Sequence, residues 1–149
     1  MAEAAHAHEM HLKVLTMDRP LFDGPVRAVT FQGLDGSYGI LPRHAALVTA
    51  VPRSGSHLRI TRTDGSTQDL VVAAGFVEVR DNAVTFVVLS GEKAEEIDVE
   101  RAHAAEQKAR ELLDQVRSED RPSEELLRAQ AAVQRAMLRQ ILGKRTANV

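Results

Sequence analysis

The sequence predicts a β-sandwich followed by an antiparallel α-helical hairpin, because the spacing of its apolar residues changes near residue 90. Before that point apolar residues mostly alternate with polar ones, as half-buried strands require, and after it they recur at threes and fours, as amphipathic helices require. A helix start signal marks the change: Asp98 can cap the first turn, and Ile97 and Ala102 occupy the two positions of a hydrophobic staple. We therefore expect a disordered tail at residues 1–10, a sandwich at 11–90 and a hairpin domain at 91–149.

Short apolar segments bounded by turn residues follow the tail. A turn is expected around Asp23-Gly24, and a loop rich in glycine and aspartate at residues 33–39, where positive φ angles cost little. In the strand between them, Val26 and Ala28 are expected on one face and Val29 on the other. The predicted early segments are residues 12–16, 26–32, 40–42 and 47–51.

Two β-hairpins come next, each centred on a pair of turn-forming residues. Asp64-Gly65 is a favoured pair for a type I′ turn, and Asp81-Asn82 serves similarly. Counted together, the sequence contains eight or more short strands whose connections are too short for crossover helices, which predicts an antiparallel sandwich or barrel. The strands that flank the two turns are residues 58–63 and 66–72, then 76–80 and 83–89.

Two helices complete the chain, at about residues 98–117 and 123–142, and Gly143 offers a C-terminal stop. Alanine supplies much of the first apolar stripe and buries little area, so the hairpin is expected to dock only marginally, either as a moving part or as an ordinary packed helix pair. The stripes are Ala102, Ala105, Ala109, Leu112, Leu113 and Val116, then Leu126, Ala129, Val133, Met137 and Ile141, widened by Leu127, Leu138 and Leu142.

Composition excludes several classes of function. The net charge of -2 provides no global field for nucleic acid or an anionic membrane, and no apolar run approaches the ~20 residues of a membrane span. The absence of cysteine excludes disulfides and thiolate chemistry. The first ten residues lack the basic and apolar regions of a signal peptide. These features predict a soluble, cytoplasmic protein that binds no nucleic acid.

No catalytic set is recognisable in the sequence, which lacks a Gly-rich phosphate loop, a zinc-protease motif and a nucleophile elbow. His44, His57 and His103 are isolated, and the acidic run that begins at Glu92 is better explained as a solvated helix start than as a metal cluster. The histidines of the tail either form a weak metal site or belong to a floppy segment; they are His6, His8 and His11.

Cations on the two helices form one candidate binding site. Those of the second helix lie seven and four residues apart and so share a face. In an antiparallel hairpin the set could converge on a polyphosphate, with Asp98 free to accept from an adenine amine or a ribose hydroxyl. The alternative is a solvated basic face paired with glutamates of the first helix. The cations are Arg101 and Lys108 on the first helix and Arg128, Arg135 and Arg139 on the second.

Four segments of the chain resemble the epsilon subunit of bacterial F-type ATP synthases. They are Phe22-Asp23-Gly24-Pro25-Val26, the run Asp-Gly-Ser-Tyr-Gly-Ile-Leu-Pro-Arg-His-Ala at residues 35–45, Gly75-Phe76-Val77-Glu78-Val79, and Ile97-Asp98-Val99-Glu100-Arg101-Ala102. The resemblance covers nearly the whole chain beyond the tail. It implies a sandwich of about ten strands bearing a C-terminal helical hairpin, which agrees with the architecture that the apolar spacing predicts.

The resemblance also implies a non-catalytic role. The chain would be a rotor part of the central stalk, binding the gamma subunit and resting on the c-ring, and so coupling ion-driven rotation to ATP synthesis. Its hairpin would extend into the alpha/beta catalytic head to restrain ATP hydrolysis or, folded back, bind ATP as a regulatory ligand. No cofactor is required. The protein would lie at the cytoplasmic face of the bacterial inner membrane, held there only through the complex.

Particular residues acquire roles by the same resemblance. Asp35, Gly36, Ser37 and Tyr38 would form a loop that meets the c-ring, and Arg43 and His44 would lie close by. The nucleotide-binding or inhibitory residues would be Ile97, Asp98, Arg101, Ala102, Lys108, Arg128 and Arg135.

The chain departs from the usual family sequence at a few positions. Arg43 and Ala46 stand where glycine and proline are common, and Ala73-Ala74-Gly75 stands where Ser-Gly-Gly is usual. These departures indicate a divergent epsilon subunit or one from an alternative ion-pumping ATPase operon. The competing class of function is a free-standing nucleotide-binding regulatory module whose hairpin closes over its ligand.

Overall fold

A computed structural model describes residues 8–119 and 123–147. Most of the expected tail, including His6, lies outside these ranges, whereas Met10 begins the first strand and is buried. The elements are β1 (Met10–Leu15), β2 (Pro20–Gly33), β3 (Gly36–Ile40), β4 (Leu47–Val51), β5 (Ser56–Arg62), β6 (Thr67–Arg80), β7 (Ala83–Lys93), a 3₁₀ turn (Ala94–Glu96), α1 (Val99–Ser118) and α2 (Ser123–Ala147).

The predicted fold class is confirmed, with seven strands in the described chain. β1 pairs with β2 in antiparallel orientation and with β7 in parallel orientation. The pairing continues from β7 through β6 and β5 back to β2, so these five strands form a closed ring. β3 adds to β2, and β4 adds to β6. The described chain has fewer than ten strands because β2, β6 and β7 are 14, 14 and 11 residues long. Each is about twice the length of a typical strand.

The path of β2 differs from the prediction. The chain turns at residues 16–19, where the Thr16 amide donates to the Arg19 carbonyl oxygen at 3.1 Å, and not around Asp23-Gly24, which pairs with β1 inside the strand. A bulge between Val26 and Ala28 then changes the side-chain phase. Val26 and Val29 are therefore both buried, although strict alternation places them on opposite faces.

The two predicted hairpins are present, and one has the expected turn. Asp81 and Asn82 both have positive φ angles, 51° and 59°, as a type I′ turn requires. In the other hairpin only Gly65 has a positive φ, and its amide donates to the Arg62 carbonyl oxygen at 3.0 Å. The type I′ prediction is therefore wrong for Asp64-Gly65, where the connection is longer than two residues.

Two further residues hold left-handed backbone without being glycine. Arg43 has a φ of 64°, and Ala74, within β6, has a φ of 58°. A side chain in this region costs about 1–2 kcal/mol relative to a right-handed conformation, and glycine avoids most of that cost. Arg43 and Ala74 are both among the positions where the sequence departs from the family that it resembles, and both carry backbone strain that glycine would avoid.

The hairpin docks through a small apolar cluster outside the main core. Val71 of β6, Ala94 of the 3₁₀ turn, Ile97, Ala102 and Leu142 form it. The predicted cap is confirmed, since the Asp98 carboxylate accepts from the Arg101 amide at 2.9 Å. The staple residues Ile97 and Ala102 both lie in the cluster, so the predicted start of the first helix is also its docking point.

The predicted stop at Gly143 is wrong, because α2 continues to Ala147. Gly143 is buried, and a β-carbon there would lie 2.9 Å from Val99 Cγ2 and 3.0 Å from Ile97 Cγ2. Its role is close packing of α2 on the start of α1. Elsewhere the hairpin contact is thin, as expected, because Leu112, Leu127, Met137 and Ile141 of the predicted stripes are exposed.

An ion-pair cluster on the outer face of β5 and β6 gives a pH prediction. The Asp69 carboxylate accepts from Arg59 Nε at 2.8 Å and lies 2.7 Å from His57 Nε2. The hydrogen bond from Arg59 lowers the pKa of Asp69, and the interaction with His57 lowers it further against the opposing effect of burial. Because the folded pKa is depressed, this contribution to stability is present above the unfolded value of about 3.9 and is lost as pH falls through the folded pKa.

We therefore expect Asp69→Asn to lower the free energy of unfolding by about 1–2 kcal/mol at neutral pH and to change it little at the acid end of the range. Urea titrations across that range measure the difference. Asp18→Asn, at an exposed aspartate of the β1–β2 turn, is the control. An effect of Asp69→Asn that does not depend on pH would show that the carboxylate charge is not what stabilises this face.

Candidate functional site

The segment predicted to be a loop at residues 35–38 is the tip of the β2–β3 hairpin. Only Asp35 lies in the turn, because β3 begins at Gly36. The Tyr38 hydroxyl donates to the Asp35 carboxylate at 2.8 Å, which lowers the pKa of Asp35, and the Tyr38 ring stacks on Phe31 at 5.1 Å between centroids. Tyr38 therefore packs against the core, while Asp35, Gly36 and Ser37 are exposed at the tip.

Arg43 and His44 do not lie beside this tip. They follow the other end of β3, roughly 15 Å away at about 3.3 Å per residue. The Arg43 amide donates to Asn82 Oδ1 at 2.9 Å, and Asn82 Nδ2 donates to the Glu9 carbonyl oxygen at 2.8 Å. The prediction that Arg43 and His44 lie close to the tip is wrong, because the segment predicted to be a loop contains most of β3, and the tip and the two residues lie at opposite ends of that strand.

The helix cations are spread along the hairpin. Gln140 of α2 contacts Glu106 of α1, and Arg110 Nη2 donates to the Met137 sulfur at 3.7 Å. This register places Arg101 near one end of the hairpin and Arg128 near the other, roughly 25 Å apart at 1.5 Å per residue. The docked hairpin therefore does not bring the predicted set together on one ligand.

Each predicted cation has its own surroundings. Arg101 and Lys108 are exposed on α1, and Arg128 forms an ion pair with Glu124 one turn away. Arg135 Nη1 donates to the Arg53 carbonyl oxygen at 2.6 Å, and burial, followed by the charge of Arg139, lowers the pKa of Arg135. Of the proposed nucleotide residues outside this set, Ile97 and Ala102 are buried in the docking cluster, and Asp98 caps α1.

Glu92 is a functional candidate, although the sequence predicts that it belongs to a run of solvated acids. Its Oε2 lies 2.7 Å from Arg139 Nη2 and 2.9 Å from Nε, and both side chains are about three-quarters buried. A polar pocket of about 590 Å³ adjoins this pair, and Arg19, Glu96 and Arg135 also line it. The pair joins β7 to α2 across 47 residues of sequence, so no local spacing rule could have predicted it.

An apolar groove of about 970 Å³ separates the sandwich from the first half of α2. Strand alternation predicts one buried face and one polar face, yet Phe76 and Val87 lie opposite each other on the outer face. The signal for this groove was the unbroken apolar run Phe86-Val87-Val88-Leu89, which is apolar on both faces of the strand. The exposed apolar side chains that line it are Met17, Leu34, Phe76, Val87, Leu89 and Leu127, which are 56–80% exposed.

Two kinds of site are missing from residues 8–119 and 123–147. None of the helices there has the length and apolar character to cross a bilayer. Nor do three or more histidine, aspartate or glutamate side chains of these residues form a group that could hold a metal ion.

A β-sandwich that carries a docked C-terminal helical hairpin, with an exposed apolar groove between the two, defines a class of two-module protein. Residues 9–94 match the family described as "ATP synthase, Delta/Epsilon chain, beta-sandwich domain", and residues 95–139 match "ATP synthase, Delta/Epsilon chain, long alpha-helix domain". The chain belongs to the ATP synthase delta/epsilon chain family. As a member of that family it is a non-catalytic subunit of a membrane-associated complex, which confirms the resemblance read from the sequence.

Relatives from several bacteria match this sequence over most of their length. The ATP synthase epsilon chain of Nitratidesulfovibrio vulgaris (strain DP4) is 35% identical over 130 residues, which cover 87% of this chain and 92% of that one. The ATP synthase epsilon chain of Caldanaerobacter subterraneus subsp. tengcongensis is 37% identical over 129 residues, with coverages of 87% and 89%. A chain in the cryo-EM structure of the Euglena gracilis mitochondrial ATP synthase has the same fold, with a TM-score of 0.72 at 20% identity, and the match covers 95% of this chain and 82% of that one.

Proposed function

We propose that this chain is a rotor subunit of the central stalk of an F-type ATP synthase, where it couples ion-driven rotation of the c-ring to ATP synthesis. Its partners would be the gamma subunit, the c-ring and the alpha/beta catalytic head. It would lie at the cytoplasmic face of the bacterial inner membrane and be held there through the complex alone. Family membership supports the rotor role, and the apolar groove is the structural observation on which the proposal mainly depends.

The groove fits a permanent protein partner. Six large apolar side chains from the sandwich and α2 line it and are more than half exposed. A contiguous apolar surface of this kind marks an interaction site on a soluble protein, because leaving it in water is unfavourable. We assign the groove to the gamma subunit, whose binding would cover these side chains and join the sandwich to the rotor shaft.

The tip of the β2–β3 hairpin suits a polar contact with the c-ring. Asp35, Gly36 and Ser37 are exposed there, and the Tyr38–Phe31 stack holds the hairpin on the core. A rigid hairpin with a polar end can bear load without contributing much buried area. The c-ring contact is therefore assigned to Asp35, Gly36 and Ser37, with Tyr38 as their support.

The hairpin has the properties of a regulatory arm that restrains ATP hydrolysis. It is held at one end, by the Val71–Leu142 cluster, the Glu92–Arg139 pair and the bond from Arg135 to the Arg53 carbonyl oxygen. The first half of α2 spans the open groove. Undocking would therefore expose little apolar surface, and the released hairpin could reach the alpha/beta head.

The test is reconstitution with complex that lacks this chain. The full chain is expected to bind the gamma subunit and to restore ion-driven ATP synthesis. A chain ending at Ser118 is expected to restore synthesis and to raise the ATPase rate severalfold above that of complex containing the full chain, because α2, the second helix of the arm, is gone. Failure of the full chain to bind would exclude the rotor role, and an unchanged ATPase rate would exclude the regulatory role alone.

ATP as a regulatory ligand is the second candidate function, and the polar pocket beside Arg135 and Arg139 favours it. Arginine binds phosphate through paired N–H groups, and each such contact contributes about 1.5–3 kcal/mol when water is excluded. Arg135→Ala and Arg139→Ala, which change two cations that line this pocket, are expected to weaken ATP binding about tenfold or more in isothermal titration calorimetry. Arg128→Ala, at the far end of the hairpin, is the control. Absence of heat with the wild-type protein would remove ATP from the proposal.

A further inference from the structure

The apolar groove is a wedge between the sheet of β6 and β7 and the first half of α2. Its narrow end lies where α2 meets the β4–β5 connection: a β-carbon on Gly55 would lie 3.2 Å from Leu138 Cδ2, and Arg135 donates to the Arg53 carbonyl oxygen. About two turns earlier in the helix, Leu127 is 63% exposed, so the helix has left the sheet by that point. The space between them, about 970 Å³, has the size and the mostly apolar lining of a small-molecule site.

The lining of the groove carries one net positive charge. Its titratable side chains are two arginines and one glutamate, and two of these, Arg128 and Glu124, pair with each other at 2.5 Å. The third, Arg53, is exposed. Within residues 8–119 and 123–147 its guanidinium has no ion-pair or hydrogen-bond partner. The groove therefore combines apolar walls with a single cation that is available to a ligand.

This combination suits an anionic amphiphile with one hydrocarbon chain. The chain would lie between Phe76 and Val87 on one side and Leu127 on the other, which removes apolar surface of both molecules from water. A carboxylate would bind Arg53 through paired N–H groups. Bilayer lipids fit less well, because attachment to an anionic membrane uses a cluster of four or more cations. A nucleotide fits poorly for a similar reason, since several phosphate charges would share one unpaired arginine.

We propose that the groove of the free chain binds a long-chain fatty acid, with its carboxylate on Arg53 and its hydrocarbon chain between the sheet and α2. The fatty-acid site does not depend on the rotor role, but it lies on the surface assigned to the gamma subunit. The two occupants therefore exclude each other. A bound fatty acid would keep the free chain out of the complex until it dissociates.

Equilibrium dialysis of the full-length chain against radiolabelled fatty acid, below its micelle concentration, tests the site. Dodecanoate is expected to bind at least fourfold more tightly than decanoate, because a fully buried methylene contributes about a factor of four in affinity and the open groove buries each of the two added methylenes only in part. Dodecyltrimethylammonium, which has the same chain and the opposite charge, is expected to bind at least tenfold more weakly than dodecanoate.

Two pairs of variants separate the charge from the apolar walls. Arg53→Gln removes the cation and keeps the carbonyl that accepts from Arg135, and it is expected to weaken dodecanoate binding about tenfold. Arg27→Gln, at an exposed arginine of β2 outside the groove, is its control. Val87→Thr places a hydroxyl in the groove and is expected to weaken binding severalfold, with Val48→Thr, at an exposed valine outside the groove, as its control. All four change exposed side chains and are expected to melt like the wild type.

Competition then locates the ligand. Saturating dodecanoate is expected to weaken binding of the gamma subunit to the wild-type chain, and to do so less in Arg53→Gln. The proposal would be overturned if dodecanoate did not bind, if the cationic amphiphile bound equally well, or if Arg53→Gln matched the wild type. Arg53-dependent binding to phosphatidylglycerol vesicles would overturn it in favour of a membrane contact. If dodecanoate bound and the gamma subunit did not, the rotor role would fall and the fatty-acid site would stand.

Discussion

A chain with alanine at position 75 is expected to lose the cooperative fold of the sandwich. A β-carbon on Gly75 would lie 2.0 Å from the Val87 carbonyl oxygen and 2.7 Å from the Val88 α-carbon. Both are backbone atoms of the paired strand β7, so no side chain can rotate away to make room. β6 would have to separate from β7, and we expect a loss of more than about 3 kcal/mol in the free energy of unfolding, a large share of the stability of a domain this size.

Thermal and urea unfolding followed by circular dichroism measure this loss. Gly39→Ala is the control, because a β-carbon there would meet nothing within 4 Å. The control is expected to unfold like the wild type, whereas Gly75→Ala is expected to be expanded or aggregated at 25 °C. A cooperative transition within a few degrees of the wild type would show that β7 can shift, and that the β6–β7 pairing is less rigid than the distances imply.

The second large effect is expected at the docking cluster of the hairpin. Leu142 is 2% exposed and packs with Val71, Ala94, Ile97 and Ala102. Leu142→Asp would place an unpaired carboxylate there, at a penalty of several kcal/mol. Because the rest of the docking contact is thin, we expect the hairpin to leave the sandwich, which escapes the penalty, while the sandwich remains folded.

A distance measurement distinguishes undocking from unfolding. The chain has no cysteine, so introduced cysteines at exposed Lys13 and Gln134 can carry spin labels without interference. Leu142→Asp is expected to replace one narrow distance distribution with a broad, longer one, and the circular dichroism of the strands should persist. Ile141→Asp, one residue earlier and half exposed, is the control. A narrow, unchanged distance distribution in Leu142→Asp would mean that other contacts hold the hairpin.

Local chemistry explains the parts of the fold that were predictable. The change of apolar period near residue 90, the Asp98 cap and the Asp81-Asn82 turn each depend on residues within a few positions of one another. The wrong predictions depend instead on contacts between residues that are far apart in the sequence. The bulge after Val26 changes the face of every later side chain in β2, and only pairing with β5 reveals it. The sequence predicts a helix stop at Gly143 because glycine often ends helices, whereas its neighbours in space are Val99 and Ile97.

In the candidate site, too, local spacing predicts some features, and contacts between distant residues determine the others. The helix cations were identified from their spacing along each helix, but the register between the helices, which separates Arg101 from Arg128, depends on contacts such as Arg110 with Met137. The Glu92–Arg139 pair joins distant parts of the chain, and any of the acids near residue 92 could have been the partner. The strained turn at Arg43 became visible only with its φ angle, since the sequence shows an arginine without its conformation.

The closure of the ring by β1 also sets an order of events during synthesis. β1 can pair with β2 once Val26 has left the ribosome, but its other edge must wait for β7, whose Ala83 aligns with His11. The N-terminal strand therefore has one open edge while more than half of the chain emerges from the ribosome, and ring closure is a late, high-contact-order step. The hairpin emerges afterwards, onto a sandwich that is already complete. A nascent chain whose β7 is still inside the ribosome would expose that edge to other chains, whereas a chain whose β7 has emerged would not.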